Sequence, residues 1–168
     1  MKIIRFHITS PFLIFFLLLF CFSCSTEPSL NNHQDFILDE ITIDDIHSGY
    51  KSDKYTVKDI VKNYIDRIEE IDKNGPGINS VIIVNPDAFL IADSLDQIHK
   101  QGRAIGPLFG IPVLLKDNID THDKMPTTAG SRILKNSFPV QDSWVAKKLR
   151  EAGAVILGKT NLSEWANY

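Results

Sequence analysis

Apolar residues recur along this chain at two periods, and the alternation between them predicts an α/β layer fold. Thr42-Ile43-Asp44-Asp45 and Thr56-Val57-Lys58-Asp59 each place a carboxylate three residues after a threonine, a signature of a helix start. The first predicts a short helix ended by Gly49. After the second, Ile60, Val61, Tyr64, Ile65, Ile68 and Ile71 fall at helical spacing, and Asn74-Gly75-Pro76-Gly77 stops the run. Val81-Ile82-Ile83-Val84 is short, apolar and β-branched, as a buried strand requires. Helical spacing returns through Ala88, Ile91, Ala92, Leu95 and Ile98 and closes at Gly102. Ile111 to Leu115 and Ala154 to Leu157 are two further strands. Between them Asp142-Ser143 starts a helix with Val145, Leu149 and Ala152 on one face and Gly153 as its cap. Asn161 to Ser163 begins one more helix that does not develop. Strands that are apolar on both faces, alternating with amphipathic helices, predict a largely parallel sheet flanked by helices. Three strands make a short sheet, so the expectation is an unfinished domain.

The first residues follow a different pattern. Lys2 and Arg5 precede an unbroken apolar run from Phe12 to Phe22, and Ser23-Cys24-Ser25 follows it. A positive start, an apolar run too short to span a bilayer comfortably and a small residue at its end are the anatomy of a secretory signal, with an uncleaved membrane anchor as the alternative. The segment resembles the signal of a bacterial lipoprotein, with lipidation at Cys24, which Ser23 precedes. Cys21 follows the bulky Phe20 and fits less well. The expected organisation is a signal peptide over 1–23, a lipidated cysteine with a polar tether over 24–35, and a globular portion over 36–168. Several acyl chains would anchor the protein stably. The expected location is the bacterial cell envelope, facing periplasm or exterior. With Cys21 and Cys24 so placed, no disulfide is expected.

Composition narrows the classes of partner. The chain carries 18 basic and 21 acidic residues, a formal net charge of -3, and two of the basic ones are Lys2 and Arg5. No basic stripe is available to release counterions from a phosphate backbone, which argues against a nucleic-acid partner. The five histidines show no metal-ligand spacing, and no cofactor is expected. Trp144 and Trp165 read as core or helix-face aromatics.

Lys116 is the candidate for chemistry. It ends an apolar strand and precedes a loop rich in turn-forming and hydroxyl residues, Thr127-Thr128-Ala129-Gly130-Ser131. A strand-end lysine that loses solvent can serve as a general base. The plainer reading leaves its ammonium in water or paired with Asp117 or Asp120. Thr128 and Ser131 either ring an active site or act as turn and cap residues. Gly153 and Gly158-Lys159-Thr160 satisfy the phosphate-loop spacing literally, but the four residues between are strand and not flexible loop, which excludes a nucleotide site.

Residues 106–168 resemble the amidase signature family of hydrolases. The stretches that carry the resemblance are Gly106 to Asn118, Thr127 to Ser131, and Ala152 to Asn161, with Ile78 to Ala88 upstream. The resemblance extends over roughly 56–168 and departs from the family pattern at Lys124, where glycine is common. It implies an α/β fold with a large mixed sheet and amide hydrolysis by a Ser-cis-Ser-Lys triad without metal or cofactor. Only the lysine carries over, to Lys116, as the neutral base that takes a proton through the cis-serine. Both serines belong to a segment downstream of these residues, so the 168 residues alone are expected to be inactive. The implied substrate is a small-molecule or peptide carboxamide. Two alternatives stay open: a non-catalytic lipid-anchored binding or scaffold protein, and an amidotransferase A-type subunit.

Overall fold

The computed structural model describes residues 40–103 and 106–167. The expected signal peptide and tether, with Cys21 and Cys24, lie outside them. Helix α1 spans Ile43–Lys51 and α2 spans Val57–Arg67. Both start as their sequences predict. Thr42 and Thr56 accept from the backbone N–H three residues on, and Asp45 and Asp59 return the bond to the cap N–H. Gly49 does not end α1. It lies two residues before the helix end, where a Cβ would come within 2.0 Å of the Tyr55 ring. Its missing side chain makes room for packing instead of breaking the helix.

The last turns of α2 widen into a π-helix, Ile68–Lys73. Its Asp72 is buried and accepts from Ser80 N at 2.7 Å, Ser80 Oγ at 2.5 Å and Val81 N at 3.2 Å. The Ser80 hydroxyl is the main reason its carboxyl drops from 3.8 to about 2, with the two backbone donors and Lys73 adding to it against the cost of burial. A carboxylate depressed in the folded state stabilises fully above the unfolded value, and that contribution is lost as pH falls from about 4 to about 2. Asp72→Asn should therefore be less stable than the parent near neutral pH. In urea titrations the gap should shrink as pH falls through that window, and a gap independent of pH would contradict the assignment.

Strand β1 is Val81–Val84, helix α3 is Ala88–Lys100, β2 is Pro112–Lys116, α4 is Trp144–Glu151 and β3 is Val155–Thr160. The strands lie in the order β1-β3-β2, with β2 parallel and β1 antiparallel to β3. The sheet is thus mixed and flanked by helices. Its first face buries Val81, Val155 and Leu157 against α1, α2 and α3 through Ile46, Ile60, Val61 and Ala92. Its second face buries Leu115 and Ile156 against Met125 of the following loop and Ala146 of α4. α4 turns Ala146 and Leu149 to the sheet, whereas Val145, expected on that face, is exposed.

Strand β3 carries an extra residue. Val113 faces Ile156 and Leu114 faces Gly158, so Leu157 is passed over in the pairing with β2. A bulge of this kind reverses which face the following side chains take. Lys159 then stands opposite Leu115 and Ile83, both of which pack on the second face.

Candidate active site

Residues 106–112 deliver β2 to its place. Leu108 N donates to Ala152 O and Gly110 N to Gly153 O, both at 2.9 Å, while the Tyr50 hydroxyl donates to Gly110 O. Phe109 and Ile111 are buried between these bonds. β2 therefore runs in a fixed direction beside β3 and ends at Lys116.

Lys116 is exposed, and its ammonium donates to the carbonyl of Asn161, just past the end of β3. The loss of solvent expected at this lysine is not what its surroundings provide. β2 is an edge of the sheet among the described residues, and Leu114, on the same side of the strand, is also exposed. Neither Asp117 nor Asp120 pairs with Lys116. Asp117 turns to the second face, is 1% exposed, and accepts from the Thr128 hydroxyl through Oδ2. Its Oδ1 accepts no hydrogen bond among the described residues.

The lysine that has lost its water is Lys159, at 0% exposure. Its ammonium donates to Ile119 O at 2.7 Å and to Thr127 Oγ1 at 3.0 Å. Burial pushes its pKa down, while the nearby carboxylates of Asp117, Asp123 and Asp120 oppose that shift. No local signal marked Lys159. Gly158-Lys159-Thr160 lies wholly inside β3, so it is a strand end and cradles no phosphate.

The loop after Lys116 is closed by several bonds. Asp117 N donates to Thr160 O, Ala129 N to Asp117 O, and Trp165 N to Ala129 O. Thr128 Oγ1 also accepts from Gly130 N, so this residue acts as a turn residue and as the partner of Asp117. Ser131 is buried and caps a short 3-10 helix, Arg132–Leu134, with its backbone. Arg150 of α4 holds the loop from outside through Asp123 at 2.7 Å and Asp142 at 3.1 Å. Lys124 lies on the surface and pairs with Asp87 at 2.6 Å. Neither tryptophan is core. Trp144 is 73% exposed on α4, and Trp165 is 63% exposed in a 3-10 turn, Glu164–Ala166, with left-handed backbone. An apolar cleft of about 420 Å³ opens between α2, the π-helix and the sheet, lined by Tyr64, Ile68, Ile71, Ile78 and Leu114, and does not include Lys116.

A model of one protein family, Amidase, matches residues 59–168. The chain belongs to the amidase family. The chain is 44% identical over 135 residues to a probable amidase of Arabidopsis thaliana, covering 79% of the chain and 26% of that protein. It is 44% identical over 130 residues to the A-type subunit of the glutamyl-tRNA(Gln) amidotransferase of Alkaliphilus metalliredigens, covering 77% and 26%. Among solved structures, the native peptide amidase of Stenotrophomonas maltophilia superposes with a TM-score of 0.74 at 43% identity, covering 77% of the chain and 26% of that enzyme. The chain thus spans about a quarter of the length of these relatives. Its mixed sheet and flanking helices are a portion of the fold of that peptide amidase.

Proposed function

We propose that this chain forms the base-bearing part of an enzyme that hydrolyses carboxamides, with Lys116 as the general base of a Ser-cis-Ser-Lys triad. The two serines belong to residues beyond these 168. The observation that carries the reading is the position of Lys116. It stands at the end of a strand parallel to β3 with its amine on an open face, held among the described residues only by the carbonyl of Asn161. A serine-bearing segment packed over that face would take water from the amine, the condition under which lysine works as a base. Lys116 then accepts the proton that the nucleophilic serine passes through the cis-serine. The serine oxygen bonds to the amide carbon, and the proton returns to the departing amine as the C–N bond breaks. The resulting acyl ester is hydrolysed by the same relay acting on water. The whole protein should release ammonia from peptide carboxamides, and added hydroxylamine should divert the acyl group to a hydroxamate. Failure of both across a panel of amides removes the reading.

The substrate class rests on the similarity to a peptide amidase. The similarity to a component of an amidotransferase favours a second reading, glutamine-dependent transamidation within a larger assembly. Glutaminase activity that emerges only with partner proteins would support it over the first.

We further propose that Cys24 is lipidated and that the protein is exported and held at the cell envelope. The motive is the order of basic start, apolar run and small residue before Cys24. Cys24→Ser should move the protein from the membrane fraction to the soluble one. Equal membrane retention by the variant would remove the proposal.

A further inference from the structure

A lysine with no exposed surface is an expensive way to fill the space beneath a loop. Burial penalises its charge, and an apolar side chain of similar length would pack there without that cost. Lys159 is nevertheless the largest fully buried side chain among the described residues. What it holds is specific. Ile119 O and Thr127 Oγ1, its two acceptors, are the near and far limbs of the loop that leaves β2 at Lys116. Thr127 adjoins Thr128, whose hydroxyl is bonded to the carboxylate of Asp117, the residue after Lys116. The backbone of Asp117 is in turn bonded to Thr160, the residue after Lys159. These contacts form a closed ring from Lys159 through Thr127, Thr128 and Asp117 back to β3.

We propose that Lys159 is a positioning residue for Lys116: its buried ammonium draws the 117–130 loop onto β3 and so fixes where the Lys116 amine points. The inference rests on the reading of Lys116 as the general base. Lys159 touches no reacting atom. It is on the face of the sheet opposite the open face of Lys116, and it acts through the ring. The register shift in β3 makes this possible, because without it Lys159 would turn toward the helical layer.

The test uses the whole protein carrying Lys159→Met, which keeps the volume and removes the donor. Assayed on a peptide carboxamide well below its melting temperature, kcat should fall by about 100-fold with KM little changed, the loss expected when a reacting group shifts by about 1 Å. Val61→Ala is the control for destabilisation alone. It thins the core far from the loop and should lower Tm while leaving kcat near the parent value. A Lys159→Met variant that behaves like Val61→Ala overturns the proposal. Should Lys159→Met fail to fold, Thr127→Val deletes one of the two acceptors and should lower kcat by about fivefold, the worth of one released hydrogen bond; an unchanged kcat overturns the proposal equally.

A second readout needs no amide hydrolysis. Brief treatment with an amine-acylating reagent, followed by peptide mass mapping, compares Lys116 with the exposed Lys62. The ratio of their acylation should rise by about fivefold in Lys159→Met as the Asn161 contact loosens. An unchanged ratio overturns the positioning role. If the parent protein hydrolyses no amide, the proposed function fails while this ratio still decides the position of Lys116.

Discussion

Replacing Lys116 with alanine is expected to lower kcat for carboxamide hydrolysis by about 10⁴-fold while leaving the fold intact, a larger loss of rate than any other substitution proposed for this chain. The two halves of the expectation come from different observations. Lys116 ends the only strand that runs parallel to β3 among the described residues, and the residue is exposed. Removing an exposed side chain away from caps and core changes stability by about 0.5 kcal/mol or less. Its chemical role would be lost entirely, since no other described lysine stands on that face at the strand end. Lys159, the nearest in sequence pattern, is buried on the other face and already bonded. Lys116→Arg should not restore the rate, because a guanidinium does not give up its proton at accessible pH. Steady-state rates of the two variants beside their thermal melts check both halves. Substantial activity in Lys116→Arg would show that the residue acts as a fixed cation and not as a base.

Gly158→Val should destabilise the fold more than any of the other variants, with Gly158→Ala in between. Gly158 sits in the central strand, paired with Val84 on one side and Leu114 on the other. A Cβ there would stand 2.5 Å from Ile83 O, 3.2 Å from Leu114 Cδ2 and 3.3 Å from Val84 Cα. Two of those three atoms are backbone of a neighbouring strand and cannot swing aside as a side chain would. Overpacking of this kind costs about 1–3 kcal/mol, and valine adds two methyl groups at the same point. Because Gly158 is at the register shift, the variant should also disturb Lys159 and Thr160, so activity should fall together with Tm. A Gly158→Ala protein with unchanged Tm would mean that β1 can draw away from β3 at no cost.

Most of the secondary structure was legible because its causes are local. The two capping boxes, Thr42 with Asp45 and Thr56 with Asp59, need only three residues of separation, and both form. The apolar faces of α2 and α3 follow from helical spacing, and Ile60, Val61, Ala88, Ala92 and Leu95 all reach the core. The short β-branched run 81–84 is a strand for the same kind of reason. Gly49 was misleading because a glycine ends a helix where it takes left-handed backbone, and Gly49 instead stays helical with Tyr55 packed against it. Val145 was misleading because an apolar residue in a helix register does not reveal which face meets the sheet; Trp144 is the helix-face aromatic of its two readings, exposed on α4, whereas Trp165 is neither core nor on a regular helix.

By itself, then, the sequence determined the alternating elements, the helix starts, the family and the identity of Lys116 as the residue at a strand end before a hydroxyl-rich loop. Each of these depends on neighbours along the chain or on a motif read as a string. Which lysine loses its water was decided only in three dimensions. One extra residue in β3 turned Lys159 to the second face. There a loop that begins some forty residues earlier closed over it with a carbonyl and a hydroxyl. Lys116, on the opposite face of a strand that is an edge among the described residues, stayed in solvent. Burial depends on what packs over a side chain from elsewhere in the chain, and no local pattern encodes that.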